Sequence, residues 1–137
     1  IVQENLAKIG VNVELTNQEW AVFLSTRQNG EYQIARHGWI GDYSDPMTFL
    51  DMWVTGGGNN DCGFSNSEYD SLIAEAKVET DTKKREELLR QAEDILMDEM
   101  PVIPVYFYTT VMAWNVEGVL VTALGKVYFK NAYKIAK

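Results

Sequence analysis

The first part of the chain alternates between helical and strand-like patterns of apolar residues. Val2, Leu6 and Ile9 recur with the spacing of one helix face, and the residues after Gly10 alternate between apolar and polar. The predicted elements are a helix over 1–9 that ends at Gly10, a strand over 11–15, a helix over 18–27 with Asn17 as its N-cap, and a strand over 32–35. This order predicts an α/β architecture.

The second part of the chain is patterned as amphipathic helices followed by an apolar strand. The predicted elements are a short helix over 46–53, a helix over 65–78 with Ser65 and Glu68 as a capping box, a helix over 82–100 with Asp81 as its N-cap and Pro101 as its stop, a buried strand over 102–108, and short strands over 118–121 and 126–129. Helical spacing predicts the buried residues Tyr69, Leu72, Ile73, Ala76, Leu88, Leu89, Ala92, Ile95 and Leu96. Aromatic residues expected in the core or an interface are Trp20, Trp53, Tyr106, Phe107 and Tyr108. The charged residues predicted to form a solvated helix face are Lys83, Lys84, Arg85, Glu86, Glu87 and Arg90.

The loop over residues 36–46, Arg-His-Gly-Trp-Ile-Gly-Asp-Tyr-Ser-Asp-Pro, concentrates polar and aromatic groups directly after a predicted strand. Ligands of open α/β sheets usually lie at the carboxyl ends of strands, and glycine allows a ligand to approach the backbone closely. Recognition of a ligand is one interpretation, and a loop that only turns the chain is the other. Within this loop, Asp45 is predicted to cap the short helix that begins at Pro46. The close spacing of Asp42 and Asp45 argues against a hydrolytic acid pair.

Composition and charge exclude several functional classes. The 137 residues are 46% hydrophobic and 23% charged, with a formal net charge of −8, which argues against a nucleic-acid partner. A single cysteine, Cys62, allows neither an intrachain disulfide nor a cysteine zinc cluster. His37 is the one histidine, so we expect no metal site and no cofactor. No apolar run has the roughly 20 residues of a membrane span.

Several motifs in a shared order resemble the family 5 extracellular solute-binding proteins, which include the oligopeptide- and dipeptide-binding proteins of ABC importers. The matching segments are residues 6–11, 35–46, 57–60, 64–66, 69–73 and 101–106. The resemblance implies an α/β chain from the C-terminal part of the large lobe of a bilobed, type II periplasmic-binding-protein-like fold. Residues 1–104 would belong to the second lobe, and residues 105–137 would return toward the other lobe. An opening helix without an N-cap also indicates a fragment of a longer protein.

The same resemblance implies a role for each residue of the loop. The aspartate of the Gly-Trp-x-x-Asp-Tyr motif, here Asp42, would pair with the free amino terminus of a peptide. Arginines that precede this motif, here Arg36 and Arg27, would lie near the carboxylate end. The remaining ligand-binding residues, which would offer backbone groups and a wall, are Gly38, Trp39 and Ile40.

The expected function is therefore peptide capture without catalysis, as the substrate-binding component of an ABC importer. The expected partners are a peptide, a membrane permease and an N-terminal lobe of the same protein, and the expected location is the periplasm or the outer face of the membrane with a lipid anchor. An oligosaccharide or a nickel complex as ligand remains an alternative within the family. An acid-pair hydrolase is the alternative from another class.

Overall fold

The computed structural model describes residues 1–134, which fall into two compact units, Ile1–Ala35 and the part that begins at Arg36. The first unit contains two helices, α1 over Val2–Lys8 and α2 over Trp20–Gln28. Gly10 follows α1 with a φ of +83°, a left-handed conformation that glycine adopts without strain. The predicted stop at this glycine is confirmed.

Two expectations about α2 are wrong. Its N-cap is Glu19 and not Asn17, because the Glu19 carboxylate accepts the backbone N–H groups of Ala21 at 2.9 Å and Val22 at 3.3 Å. Trp20 is 56% exposed instead of lying in the core, and its ring centroid is 5.8 Å from that of Phe23. Helical spacing predicts which residues share a face, but it does not show that this unit packs another element against that face.

The strands predicted over 11–15 and 32–35 are not formed among the described residues of the first unit. A strand is stabilised by a hydrogen-bonded ladder to a neighbour, and this unit provides no such neighbour. The alternating pattern therefore predicted strands for which this unit has no partner.

The second unit is built around two long helices that pack against each other. Its elements are α3 over Met47–Leu50, a 3₁₀ helix over Asp51–Trp53, α4 over Ser67–Val78, α5 over Thr82–Glu99, β1 over Leu120–Val121 and β2 over Val127–Tyr128. The strands β1 and β2 pair antiparallel, with Leu120 opposite Tyr128. The short strands predicted over 118–121 and 126–129 are confirmed, although each is only two residues long. The start of α5 and its Asp81 cap are confirmed, and the helix ends at Glu99, one residue before the predicted end.

The core of the second unit lies where α3, the 3₁₀ helix, α4 and α5 meet. Its buried apolar residues are Met47, Leu50, Met52, Trp53, Phe64, Tyr69, Ile73, Ala76, Leu88, Leu89, Ala92 and Leu96. Leu72 and Ile95 are partly buried beside it, so helical spacing placed the apolar faces of α4 and α5 correctly. The core thus fixes α3 and the loop before it against the two long helices.

The start of α4 differs from the predicted capping box. Asn66, one residue after Ser65, accepts the backbone N–H groups of Glu68 at 2.9 Å and Tyr69 at 3.0 Å. Its own amide donates to the Glu99 carboxylate at 2.6 Å, which ties the beginning of α4 to the end of α5. An asparagine satisfies both roles at once, because its side chain carries an acceptor and a donor.

The buried strand predicted over 102–108 is wrong. This stretch is not paired with another strand of the described residues, and Phe107 is 97% exposed. Tyr106 and Tyr108 are exposed as well, with ring centroids 5.1 Å apart. Its run of strand-forming residues has no sheet to join within the second unit, so these aromatic residues lie on the surface and not in a core. Their alternative placement in an interface stays a prediction.

The turn between α4 and α5 is held by Glu79, whose carboxylate accepts Lys84 Nζ at 2.7 Å and the N–H groups of Thr80 and Asp81 at 2.8 Å. The Lys84 ammonium and these N–H groups lower the pKa of Glu79 from 4.5 to about 2. A lowered native pKa contributes stability that is present above 4.5 and is lost as pH falls toward about 2.

We therefore expect Glu79→Gln to destabilise the full-length protein at neutral pH, and we expect this difference to shrink as pH falls from 4.5 toward about 2, where the native carboxyl becomes protonated. Urea unfolding midpoints of both proteins across this range test the expectation. Glu93→Gln, on the exposed surface of α5, serves as the control and should follow the unsubstituted protein at every pH. If the unfolding midpoint of Glu79→Gln differed from that of the unsubstituted protein by the same amount at all pH values, the lowered pKa of Glu79 would not be the source of the stability.

Candidate functional site

Residues 36–41 run extended along the second unit and present alternate residues to opposite sides. Arg36, Gly38 and Ile40 line a cleft of about 390 Å³. On the other side, the His37 ring centroid is 5.7 Å from that of Trp53, and Trp39 packs against the core. This period of two means that one face of the segment is anchored by the core while the other faces an open cleft.

The opposite wall of the cleft comes from Tyr108, Thr109 and Thr110. The Arg36 guanidinium donates a hydrogen bond to the Tyr108 hydroxyl, and its central carbon lies 5.9 Å from the centroid of the tyrosine ring. A methyl group added at Gly38 would lie 2.8 Å from the same hydroxyl oxygen. Gly38 is therefore the residue that lets Tyr108 approach the backbone of the segment.

Tyr108 was not among the site residues predicted from the sequence. It lies 72 positions after Arg36, in a stretch whose apolar pattern indicated a core strand. No motif marks it, so the contact between these two residues arises only from the folded chain.

Asp42 follows the cleft segment on an exposed loop. Its backbone N–H donates to the Thr48 hydroxyl at 3.0 Å, and Thr48 itself is 2% exposed on α3. Among residues 1–134 the Asp42 carboxylate forms neither a hydrogen bond nor an ion pair. The backbone at this position is thus tied to the core while the charge stays available to solvent or to a ligand.

Asp45 closes the same loop from its other end. One carboxylate oxygen accepts the Met47 N–H at 2.9 Å, which confirms the predicted cap of α3. Both oxygens also accept the Arg85 guanidinium, at 2.8 Å for each of two parallel hydrogen bonds. This pairing to Arg85 lowers the pKa of the Asp45 carboxyl, with a smaller contribution from the Met47 N–H, although partial burial opposes the shift.

Arg85 therefore departs from the prediction that the charged face of α5 is solvated throughout. Besides Asp45, its Nε–H donates to the backbone carbonyl of Ala76 at 3.1 Å. Arg90, a turn further along α5, fits the prediction, because it is exposed and pairs with Glu87 and Asp94 on its own helix. No local pattern in α5 distinguishes the arginine that pairs with the loop from the one that stays on the helix surface.

Arg27 belongs to the first unit. It lies on α2, where its guanidinium carbon is 5.9 Å from the ring centroid of Phe23. The cleft described above is formed entirely within the second unit, and its residues do not include Arg27.

The side chain of Asn60 holds the glycine-rich loop that follows the 3₁₀ helix. Its amide donates to the carbonyls of Val54 at 3.0 Å and Phe64 at 2.7 Å, and its oxygen accepts the Phe64 N–H at 3.0 Å.

Within residues 1–134, no group of three or more His, Cys, Asp and Glu side chains is arranged to hold a metal ion. The helices in this described range include none that is long and apolar enough to cross a membrane.

The chain is similar in sequence to known solute-binding proteins. Residues 1–61 match the family model described as bacterial extracellular solute-binding proteins, family 5 Middle. Over 136 residues the chain is 48% identical to the oligopeptide-binding protein OppA of Bacillus subtilis strain 168, which covers 96% of this chain and 25% of the relative. The chain belongs to the family 5 extracellular solute-binding proteins.

Solved structures of this family give the fold. The substrate-binding domain of an oligopeptide ABC transporter from Bacillus anthracis strain Ames is 32% identical, with a TM-score of 0.81 over 98% of this chain and 28% of that one. Haemophilus influenzae OppA in complex with the peptide RPPGFSPFR is 33% identical, with a TM-score of 0.72 over 77% of this chain and 20% of that one. The predicted α/β, type II periplasmic-binding-protein-like fold class is confirmed. The chain spans about a quarter of the length of the curated relatives it matches.

Proposed function

We propose that these residues form one wall of a peptide-binding cleft in the substrate-binding component of an ABC importer. In this proposal the extended residues 36–41 lie beside the peptide, and Asp42 pairs with its free amino terminus. The observation that supports it most directly is the Asp42 carboxylate. It has no partner among residues 1–134, yet its backbone is tied to buried Thr48 immediately beyond the cleft-lining segment.

Pairing of Asp42 with an amine follows from the energetics of an enclosed ligand. A peptide held in a closed cleft loses the water around its ammonium group, and an unpaired buried charge costs several kcal/mol. A carboxylate on a fixed loop offsets this cost without having to be ordered at the moment of binding.

The peptide backbone would be satisfied by residues 38 and 40. Neither Gly38 nor Ile40 takes part in a backbone–backbone hydrogen bond within the described part of the chain. An extended peptide that added alongside them as a strand would bind through main-chain groups and would not depend on its side chains. This arrangement supports a receptor with broad sequence tolerance.

Arg36 and Tyr108 would lie toward the carboxyl end of the peptide. One N–H group of the Arg36 guanidinium donates to the Tyr108 hydroxyl, which fixes the guanidinium in place. The other N–H groups of Arg36 remain available to a carboxylate. Arg27 would contribute in a closed receptor, as the family resemblance implies, while Trp39 would support the cleft from its core side.

The remaining parts of the receptor are also proposals. Residues 105–137 would return toward a second lobe that supplies the opposite wall, and the closed form would be presented to a membrane permease. The relatives include proteins described as periplasmic, so we propose a location outside the cytoplasmic membrane, in the periplasm or held by a lipid anchor.

A peptide is favoured over the other ligands considered. Sugar binding commonly uses an open aromatic face, but Trp39 packs against the core. A nickel complex would require side-chain ligands beyond His37, and residues 1–134 hold no such cluster. The named relatives are binding proteins, so an acid-pair hydrolase has no support among them, and Asp45 is already engaged by Arg85.

A peptide series tests the proposal in the full-length receptor. Isothermal titration is expected to show that an alanine tetrapeptide with a free amino terminus binds about a hundredfold more tightly than its N-acetylated form, since truncating one partner of a desolvated charge pair costs several kcal/mol. The C-terminally amidated form controls for charge at the other end. Equal affinities of the free and acetylated peptides would exclude Asp42 as an amine anchor.

A further inference from the structure

The loop that carries Asp42 contains a second carboxylate three residues later, and the two are in very different surroundings. Asp45 is half-buried and engaged by a cation through both oxygens, whereas Asp42 is exposed. Resting on the function proposed above, we infer that Arg85 is a positioning residue for peptide binding. Its two-pronged pairing with Asp45 holds the loop so that Asp42 alone meets the peptide ammonium.

The first step of this inference is geometric. Arg85 reaches the loop from α5 and donates from Nη1 and Nη2 to the two Asp45 oxygens, each at 2.8 Å. Its third donor, Nε–H, is used by the Ala76 carbonyl on α4 at 3.1 Å. One side chain thus connects the loop to both long helices, and a planar guanidinium with three engaged donors has little freedom to rotate.

The second step concerns the two ends of the loop. At one end the Asp42 N–H is held by Thr48 at 3.0 Å, and at the other Asp45 is held by Arg85 and also caps Met47. Only Tyr43 and Ser44 lie between these fixed points. Without the Arg85 contact, the Asp45 side chain would be held by the Met47 N–H alone, beside the backbone hydrogen bonds of Asp45 to Thr48 at 3.2 Å and to Tyr43 at 3.1 Å.

The third step concerns charge. A guest ammonium is attracted to any uncompensated carboxylate nearby, and two of them three residues apart would offer competing positions. Arg85 neutralises Asp45 at hydrogen-bond distance, so the negative charge left on this loop is that of Asp42. The ion pair therefore both fixes the loop and selects which aspartate a peptide amine meets.

The experiment measures, in the full-length receptor, the ratio of affinities for an alanine tetrapeptide and its N-acetylated form. Arg85→Gln and Asp45→Asn are each expected to lower this ratio about tenfold, because small displacements of a positioned group cost one to two orders of magnitude. The double variant should match either single variant, since both remove the same contact. Asp45→Asn keeps an oxygen for the Met47 N–H, so it tests the inference even if Arg85→Gln fails to fold.

Arg90→Gln is the matched control, because Arg90 also pairs with carboxylates on α5 but at an exposed site, and it should leave the ratio unchanged. An equal loss of affinity for both peptides would show a purely structural role and would overturn the inference. Full recovery in the double variant would reduce the role of Arg85 to charge balance, which also contradicts positioning. If Asp42→Asn itself leaves the ratio intact, the proposed function fails and this inference fails with it.

Discussion

Asp42→Asn in the full-length receptor is expected to weaken binding of a free-amine peptide by about a hundredfold, the loss typical of removing one partner from a desolvated charge pair. Asparagine keeps the shape of the side chain and leaves the Thr48 contact to the backbone untouched, so the loop itself should not move. Binding of the N-acetylated peptide should be nearly unchanged, because that ligand carries no ammonium group. Isothermal titration with both peptides measures the two effects together.

Asp98→Asn is the control for a general effect of surface charge. Asp98 is exposed on α5, and its replacement removes the same formal charge from a chain with a net charge of −8. Steering of a cationic ligand by the whole protein would be weakened equally by both substitutions, and this contribution falls with added salt. The proposal is contradicted if the two variants bind the free peptide equally well.

Ile73→Ala is expected to produce the largest loss of stability, about 3 kcal/mol, because it leaves a cavity between α4 and α5 that the surrounding side chains cannot fill. Ile73 is 1% exposed at the centre of the core. Amide hydrogen exchange in the full-length protein should show the loss as faster exchange along both helices, because both contribute to the same core. Peptide affinity should change much less than stability.

Val78→Ala provides the comparison on the same helix. Val78 is 78% exposed near the end of α4, so its truncation should alter the opening free energy by no more than about 0.5 kcal/mol. Equal protection factors for the two variants would show that α4 and α5 are not the stabilising core of this unit.

The helices could be predicted from the sequence because their signals are local. Apolar residues at helical spacing identified Tyr69, Ile73 and Ala76 as the buried face of α4, and Asp81 was recognisable as a cap from its position alone. In α4 the error was small, since Asn66 replaces Ser65 as cap by a shift of one residue. Local signals of this kind need no information about the rest of the chain.

The strands could not be predicted in the same way, because a strand depends on a neighbour. The stretches over 11–15, 32–35 and 102–108 have the right composition, but the described residues supply no ladder for them. Of the predicted strands, only the short pair that forms a hairpin is confirmed, and there the partner follows within a few residues. Pattern alone does not reveal whether a partner exists.

In the candidate site, too, the features with a local sequence signal could be predicted and the contacts between distant residues could not. The loop with Gly38 and Asp42 was found from its motif, and its binding roles remain predictions. Tyr108 and Arg85 were missed because each meets the loop from a distant part of the chain. Their contacts depend on how α5 and the later segment pack, which no spacing within the loop encodes.

The two-sided use of residues 36–41 also limits how this segment can change in length. Because neighbouring residues point in opposite directions, adding or removing one residue would turn Trp39 toward the cleft and carry Arg36 away from Tyr108. A change of two residues would preserve the facing pattern and shift only the position of the carboxylate that follows. Insertions and deletions in this segment should therefore comprise an even number of residues. The distance from the cleft wall to the Asp42 carboxylate would then change in steps of two residues.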